Sequence, residues 1–241
     1  MILLFFTLFW GCVTQQQIRR SQSRTELGTA YLVEGNASQA IRTLTEATKL
    51  NPRNAKAWEK LGLSYASQGA YDKAEDAFLK SLKLEKRAET HNNFGLMLLA
   101  MKRYEDAIPH FEEAAADITY RNIAISLNNL GQTYHLLGRN QEAIRSLTNA
   151  IRRAPNLCQA RFLRGVIHKE LKMNGKALSD FQEVIRLCGE NAFGAYFQAA
   201  IILIENSDLP AACSYLQTIQ REAPNTPLSF QAKQTHTEVC L

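Results

Sequence analysis

Small and apolar residues recur along this chain at matching offsets, with polar residues between them. Residues 21–54 carry Leu27, Gly28, Tyr31, Gly35, Ala40, Leu44, Ala47 and Pro52, and residues 55–87 carry Trp58, Leu61, Gly62, Tyr65, Gly69, Ala74, Phe78 and Ser81. The next stretch, 88–123, has Phe94, Gly95, Leu98, Ala107, Phe111 and Ala114, and is two residues too long. Residues 124–157 restore the spacing with Leu127, Leu130, Gly131, Tyr134, Gly138, Ala143, Leu147, Ala150 and Pro155. Two degenerate stretches follow: 158–192 keeps Gly165, Ala177 and Phe181, and 193–226 keeps Tyr196, Ala212, Leu216 and Pro224. Each stretch reads as a helix, a turn and an antiparallel second helix. Gly and Ala let the helices approach, aromatic residues fill the space between successive hairpins, and Pro ends the second helix.

Such a hairpin cannot bury its apolar face alone, so neighbours must stack. A bulky residue, Leu-Gly and Tyr on one helix, then Ala, an aromatic, Ala and Pro on the next, with a period of about 34 residues, is the pattern of the tetratricopeptide repeat. The expected fold is therefore all-α: a tetratricopeptide repeat superhelix of about six helix-turn-helix units over 21–226, with a short C-terminal capping helix over 227–241. The composition agrees, with 46% hydrophobic and 21% charged residues and only 12 Gly and 6 Pro in 241 residues; it is neither low-complexity nor disordered.

The first residues carry an address. MILLFFTLFWGC is apolar apart from Thr7 and then turns polar at Val13-Thr14-Gln15. The run is short of the about 20 residues that span a bilayer and suits the apolar region of a signal peptide. Gly11 directly before Cys12 resembles a bacterial lipobox, in which the Cys is acylated and becomes the first mature residue. The expected division is a signal peptide over 1–11 and a lipid-anchored tether over 12–20. An ordinary signal, a membrane anchor or a buried helix is the alternative for the same run.

Two pairs of asparagines stand out, in HNNFG at 91–95 and LNNLG at 127–131. Asn is mildly unfavourable inside a helix, so each pair calls for a reason. Either the amides line a groove and bond an incoming backbone, or they tie one hairpin to the next; spacing does not choose between these. The candidate partner-binding groove comprises Asn92, Asn93, Leu96, Leu99, Asn128, Asn129, His135, Phe162 and Val166.

The net charge of +5 is unevenly placed: 55–123 has 10 basic and 11 acidic side chains, whereas 124–191 has 10 basic and 5 acidic. Arg145, Arg152, Arg153, Arg161 and Arg164 form a candidate basic patch for an acidic partner or an anionic headgroup; the plain alternative is a solvated face. This excess lacks the clustered stripe and stacking aromatics of a nucleic-acid binder. The five His form no H-x3-H pair and no metal-spaced cluster with carboxylates, and there is no phosphate loop and no G-x-S-x-G, so no enzyme, metal, cofactor or small-molecule substrate is expected. A clamp for a partner's terminal carboxylate needs Lys and Asn where this chain has Thr25 and Thr29, and Lys and Arg where it has Glu59 and Leu63.

Four cysteines remain, and the hairpin geometry pairs them. Cys158 opens the first helix of the fifth unit and Cys188 closes its second, so the antiparallel hairpin brings them to one end. Cys213 lies early on the second helix of the sixth unit, and an antiparallel capping helix delivers Cys240 to it. Cys158–Cys188 and Cys213–Cys240 are the expected disulfides; four free buried thiols are the alternative.

Residues 90–139, with Asn-Asn-Phe-Gly, Lys-Arg-Tyr-Glu-x-Ala and the lengthened turn Ile118-Thr119-Tyr120-Arg121, resemble the type IV pilus biogenesis and stability lipoproteins of the PilF/PilW/Tgl type. The six units and Cys12 extend the resemblance over essentially the whole chain. It implies an outer-membrane lipoprotein, anchored at the periplasmic face, that acts as a pilotin: it binds type IV pilus secretin subunits and promotes their localisation and multimer assembly. Another envelope tetratricopeptide scaffold, or a cytosolic adaptor, is the alternative.

Overall fold

A computed structural model describes residues 13–189 and 192–240. The expected signal peptide and Cys12 lie outside the described residues. Thirteen helices and no strand occur among the described residues. The chain divides into two compact units, one up to residue 101 and one from residue 102.

The first unit contains α1 (Gln15–Val33), α2 (Ala37–Leu50), α3 (Ala55–Ser67), α4 (Tyr71–Leu84) and α5 (Ala88–Ala100). Helices α1 and α2, and then α3 and α4, pack as hairpins, and α2 lies against α3. Ala40, Leu44, Leu61 and Ala77 make a core against which Tyr31, Trp58 and Tyr65 rest. Phe78 and Phe94 stack with ring centroids 5.3 Å apart and tie α4 to α5.

The second unit contains α6 (Tyr104–Ala116), α7 (Ile123–Leu136), α8 (Asn140–Arg153), α9 (Cys158–Glu170), α10 (Asn174–Cys188), α11 (Phe193–Glu205), α12 (Leu209–Glu222) and α13 (Pro227–Cys240). Hairpins α7/α8, α9/α10 and α11/α12 succeed one another, and α13 packs on α12 and α11. Phe181, Val184, Ala195 and Ile202 form one core and Ala200, Leu203, Leu216, Ile219 and Ala232 the next. The two surplus residues of the third repeat lie in the link at 117–122. Asp117 ties this link by accepting from the Thr119 backbone N–H at 2.9 Å and the Thr119 hydroxyl at 2.6 Å.

Two backbone features repeat with the sequence. A Cβ added at Gly28 would stand 2.5 Å from Leu44 Cγ, and one at Gly131 2.6 Å from Leu147 Cγ, so the Leu-Gly positions are where paired helices come closest. The turns inside the hairpins hold one residue at positive φ: Gly35, Gly69 and Gly138, then Lys172 and Ser207 where glycine is absent.

The expected tether is corrected in part, since α1 begins at Gln15 rather than after residue 20. Thr14 caps the helix: its hydroxyl accepts from Gln17 N–H at 3.2 Å while Gln17 Oε1 accepts from Thr14 N–H at 2.8 Å. This reciprocal capping box satisfies two otherwise orphaned donors, and nothing in 15–26 breaks the helix it starts.

Candidate partner-binding surfaces

The asparagine pairs are mostly interior. Asn92 is 6% exposed, Asn128 2% and Asn129 7%. Asn93 donates through Nδ2 to Glu59 Oε1 at 3.2 Å, reaching from α5 back to α3. Glu59 is itself fully buried, and it also accepts from Lys60 Nζ at 2.8 Å, Arg87 Nη1 at 3.0 Å and Thr90 Oγ1 at 3.1 Å. Glu89 joins the cluster through Lys60 at 2.8 Å and Arg87 at 3.0 Å. Burial opposes the Lys60 charge, but Glu59 and Glu89 outweigh it and hold the ammonium above its ordinary range. Burial likewise pushes the Glu89 carboxyl up, and Lys60 and Arg87 draw it below its usual value. A buried carboxylate is tolerable only when its lone pairs are filled in this way. Asn93 therefore ties hairpin to hairpin rather than standing free for a partner's backbone.

The remaining groove residues divide. Leu96 is 39% exposed and Leu99 half-buried on α5. On α9, Phe162 meets Phe181 with centroids 5.6 Å apart, and Val166 packs against the same core. Both contribute to this core while staying partly exposed. His135 is held by Asn140 Oδ1 at 3.1 Å from Nδ1 and lies 3.7 Å from Glu170 Oε1. Asn92, Asn93, Leu96 and Leu99 lie in the first unit and the others in the second.

The arginines also separate. Arg164 forks onto Asp180 at 3.0 and 2.6 Å and donates to Thr148 Oγ1 at 3.0 Å, so it is a tie among α8, α9 and α10. His168, 7% exposed, places Nδ1 3.1 Å from the same carboxylate. Burial, the largest cause, pulls the His168 ring below its ordinary value; Asp180 opposes this, and Arg164 and Lys176 add to the fall. Arg161 donates from Nη2 to Pro155 O at 3.1 Å. Arg145, Arg152 and Arg153 stand exposed. Arg152 and Arg153 line a pocket of about 490 Å³ with Asn149, Ile123, Leu127 and Ala115, and Arg152 donates to Asn149. Two guanidinium groups beside apolar walls can hold a carboxylate-bearing segment.

A second surface in the first unit was not legible as a site. Trp58 and Tyr65 line a pocket of about 450 Å³ with Thr45, Thr48, Lys73 and Lys80. Lys80 lies 4.8 Å over the Trp58 ring and Lys73 5.8 Å over Tyr65, while the indole N–H donates to Pro52 O at 2.9 Å. These aromatics sit at the repeat's packing positions, so the sequence signal for them is a core signal; the lysines over them come from α4.

The structure joins Cys158 to Cys188, with Cα atoms 6.6 Å apart, and Cys213 to Cys240, with Cα atoms 6.0 Å apart. His236, unremarkable in the sequence, meets the second pair: a ring nitrogen and the two sulfurs all lie within 4.8 Å of one another. The available signal was the spacing His236-x3-Cys240 on the last helix. No helix among the described residues is long and apolar enough to cross a membrane.

Models of the tetratricopeptide repeat match residues 25–90 and 86–156, and a model of anaphase-promoting complex subunit 5 matches 153–206. In sequence the chain is similar to the type IV pilus assembly protein PilF of Pseudomonas aeruginosa, 32% identical over 132 residues, which is 50% of this chain and 52% of PilF. It thus spans about half the length of that relative. In fold it is similar to a solved structure of Pseudomonas aeruginosa PilF, with a TM-score of 0.78 at 21% identity over 92% of this chain and 100% of that one. A crystal structure of PilW, a widely conserved type IV pilus biogenesis factor, matches with a TM-score of 0.76 at 22% identity over 88% and 98%. Helices, packing glycines, hairpin turns and matched models agree that the chain is a tetratricopeptide-repeat protein.

Proposed function

We propose that this chain is a non-enzymatic scaffold of type IV pilus biogenesis, anchored in the outer membrane through an acylated Cys12, that binds secretin subunits and supports their assembly. The observation that carries this reading is the double likeness to PilF, in sequence over 132 residues and in fold over 92% of the chain. Exposed apolar Leu96 in the first unit suits an apolar partner segment, and the Arg152/Arg153 pocket in the second suits an acidic one. Several acyl chains, at about 0.8 kcal/mol per buried CH2, would make the anchoring effectively permanent.

Affinity capture of the tagged full chain from solubilised envelopes tests the partner. Secretin subunits are expected as the major species, and capture of a different envelope assembly in their place would overturn the reading. Cys12→Ser tests the anchor: the variant should leave the outer-membrane fraction and mislocalise its partner, whereas a variant that still fractionates there would sink the lipoprotein assignment.

A further inference from the structure

We infer that Cys213, His236 and Cys240 form a binding site for one thiophilic metal ion, Zn2+ by class, available when the Cys213–Cys240 disulfide is reduced. The three potential ligand atoms already lie within 4.8 Å of one another. They come from two packed helices, Cys213 from α12 and the other two from α13. His236 and Cys240 are four residues apart, so both project from one face of α13. All three side chains are partly exposed, which leaves an entry path. The Gln217 amide lies 3.1 Å from His236 Nε2. As placed, that amide's nitrogen can only donate to Nε2; turning the Gln217 amide so that its oxygen accepts from Nε2–H gives the outer bond a ligating imidazole makes and leaves Nδ1 for the metal.

Two thiolates and one imidazole select a borderline-soft ion over Mg2+ or Ca2+, with water completing a tetrahedral shell. Zn–S bonds of about 2.3 Å place two sulfurs about 3.8 Å apart, a separation reached by rotation about the Cα–Cβ bonds once the disulfide opens. The chemistry balances in two steps. A thiol or phosphine reductant supplies two electrons, cleaving the S–S bond to two thiols while it is itself oxidised. Zn2+ then displaces one proton from each thiol, forming two Zn–S bonds and one Zn–N bond and releasing two protons. Disulfide and metal are mutually exclusive, and either one ties α13 to α12. Cys158 and Cys188 have no such third ligand among the described residues.

Anaerobic titration of the full chain with Co2+, as a spectroscopic stand-in, and then Zn2+ tests this. The phosphine-reduced protein should take up one Co2+ with thiolate-to-cobalt charge-transfer bands that Zn2+ abolishes, and the oxidised protein should show none. His236→Ala, at a partly exposed position, should weaken binding at least about tenfold while the far-ultraviolet dichroism is unchanged. Cys213→Ser should remove the bands, and bound Zn2+ should slow air reoxidation of Cys213–Cys240 in peptide maps. Absence of bands in the reduced protein, bands that persist in Cys213→Ser, or unchanged affinity in His236→Ala would overturn the site. If Cys213→Ser loses helicity, the His236→Ala comparison decides the matter alone.

Discussion

Glu59 shows how a single buried charge constrains its neighbours. It is fully buried between α3 and α5, with Lys60, Arg87, Thr90 and Asn93 all directed at its two oxygens. Removing it strands two cations in a partly dry site. Glu59→Ala should therefore cost about 3 kcal/mol, near the lower end for breaking a buried pair because Lys60 and Arg87 keep Glu89. Asn93→Ala loses one hydrogen bond to a charged acceptor and should cost about 1.5 kcal/mol. Chemical denaturation of both variants checks these values; an Asn93→Ala protein with an unchanged melt and lost partner binding would return that amide to the groove. His168 gives a pH signature. Its folded value is depressed by burial, so the unfolded chain takes up the proton first, and stability present above about pH 7 should fall as pH drops towards about 5. The loss in melting temperature over that window should be smaller in His168→Gln, and an equal loss in both proteins would exclude His168 as its source.

Helix hairpins are limited by their closest approach and their turns. Ala at Gly131 would gain about 1 kcal/mol of helix propensity, yet its Cβ would sit 2.6 Å from the Cγ of Leu147, which is 0% exposed, and 3.3 Å from Ala143 O. Overpacking costs about 1–3 kcal/mol, so Gly131→Ala should be destabilising on balance, by about 1 kcal/mol. The turns predict the opposite sign. Lys172 holds φ 59 where other hairpins place glycine. An L-residue in that region costs about 1–2 kcal/mol, part of which glycine returns through its more flexible unfolded chain. Lys172→Gly should thus raise stability by about 0.5–1 kcal/mol, visible as a higher melting temperature.

Over the whole molecule, the covalent links are concentrated where the repeats are weakest. Both disulfides lie between α9 and α13, in the degenerate fifth and sixth repeats and the final helix. Each closes a loop, of separation 30 and 27 residues, and removes unfolded-chain entropy accordingly. By that account each contributes roughly 3.5 kcal/mol. Reduction should lower the unfolding midpoint of the second unit and leave α1–α5 unaffected, which hydrogen exchange on oxidised and reduced protein resolves segment by segment.

The repeat pattern alone carried the all-α class, the number of hairpins and a two-residue surplus in the third repeat, and it made one cysteine pairing the expected one, with free thiols the alternative. Each of these depends on spacing along the chain, and a repeat carries its spacing openly. Sequence also located the Leu-Gly approach, because close packing admits few residue types. What it could not divide was a surface from a core: Asn93, Phe162, Val166 and Arg164 have the residue types and offsets of groove or patch residues. Their roles depend on what faces them from a neighbouring helix. Glu59, Phe181 and Asp180 face them, and those contacts bridge 34, 19 and 16 residues in the case of Asn93, Phe162 and Arg164. The meeting of His236 with Cys213 is of the same kind. One helix face holds His236 and Cys240 together by local spacing, but only the packing of α13 on α12 brings the third ligand to them.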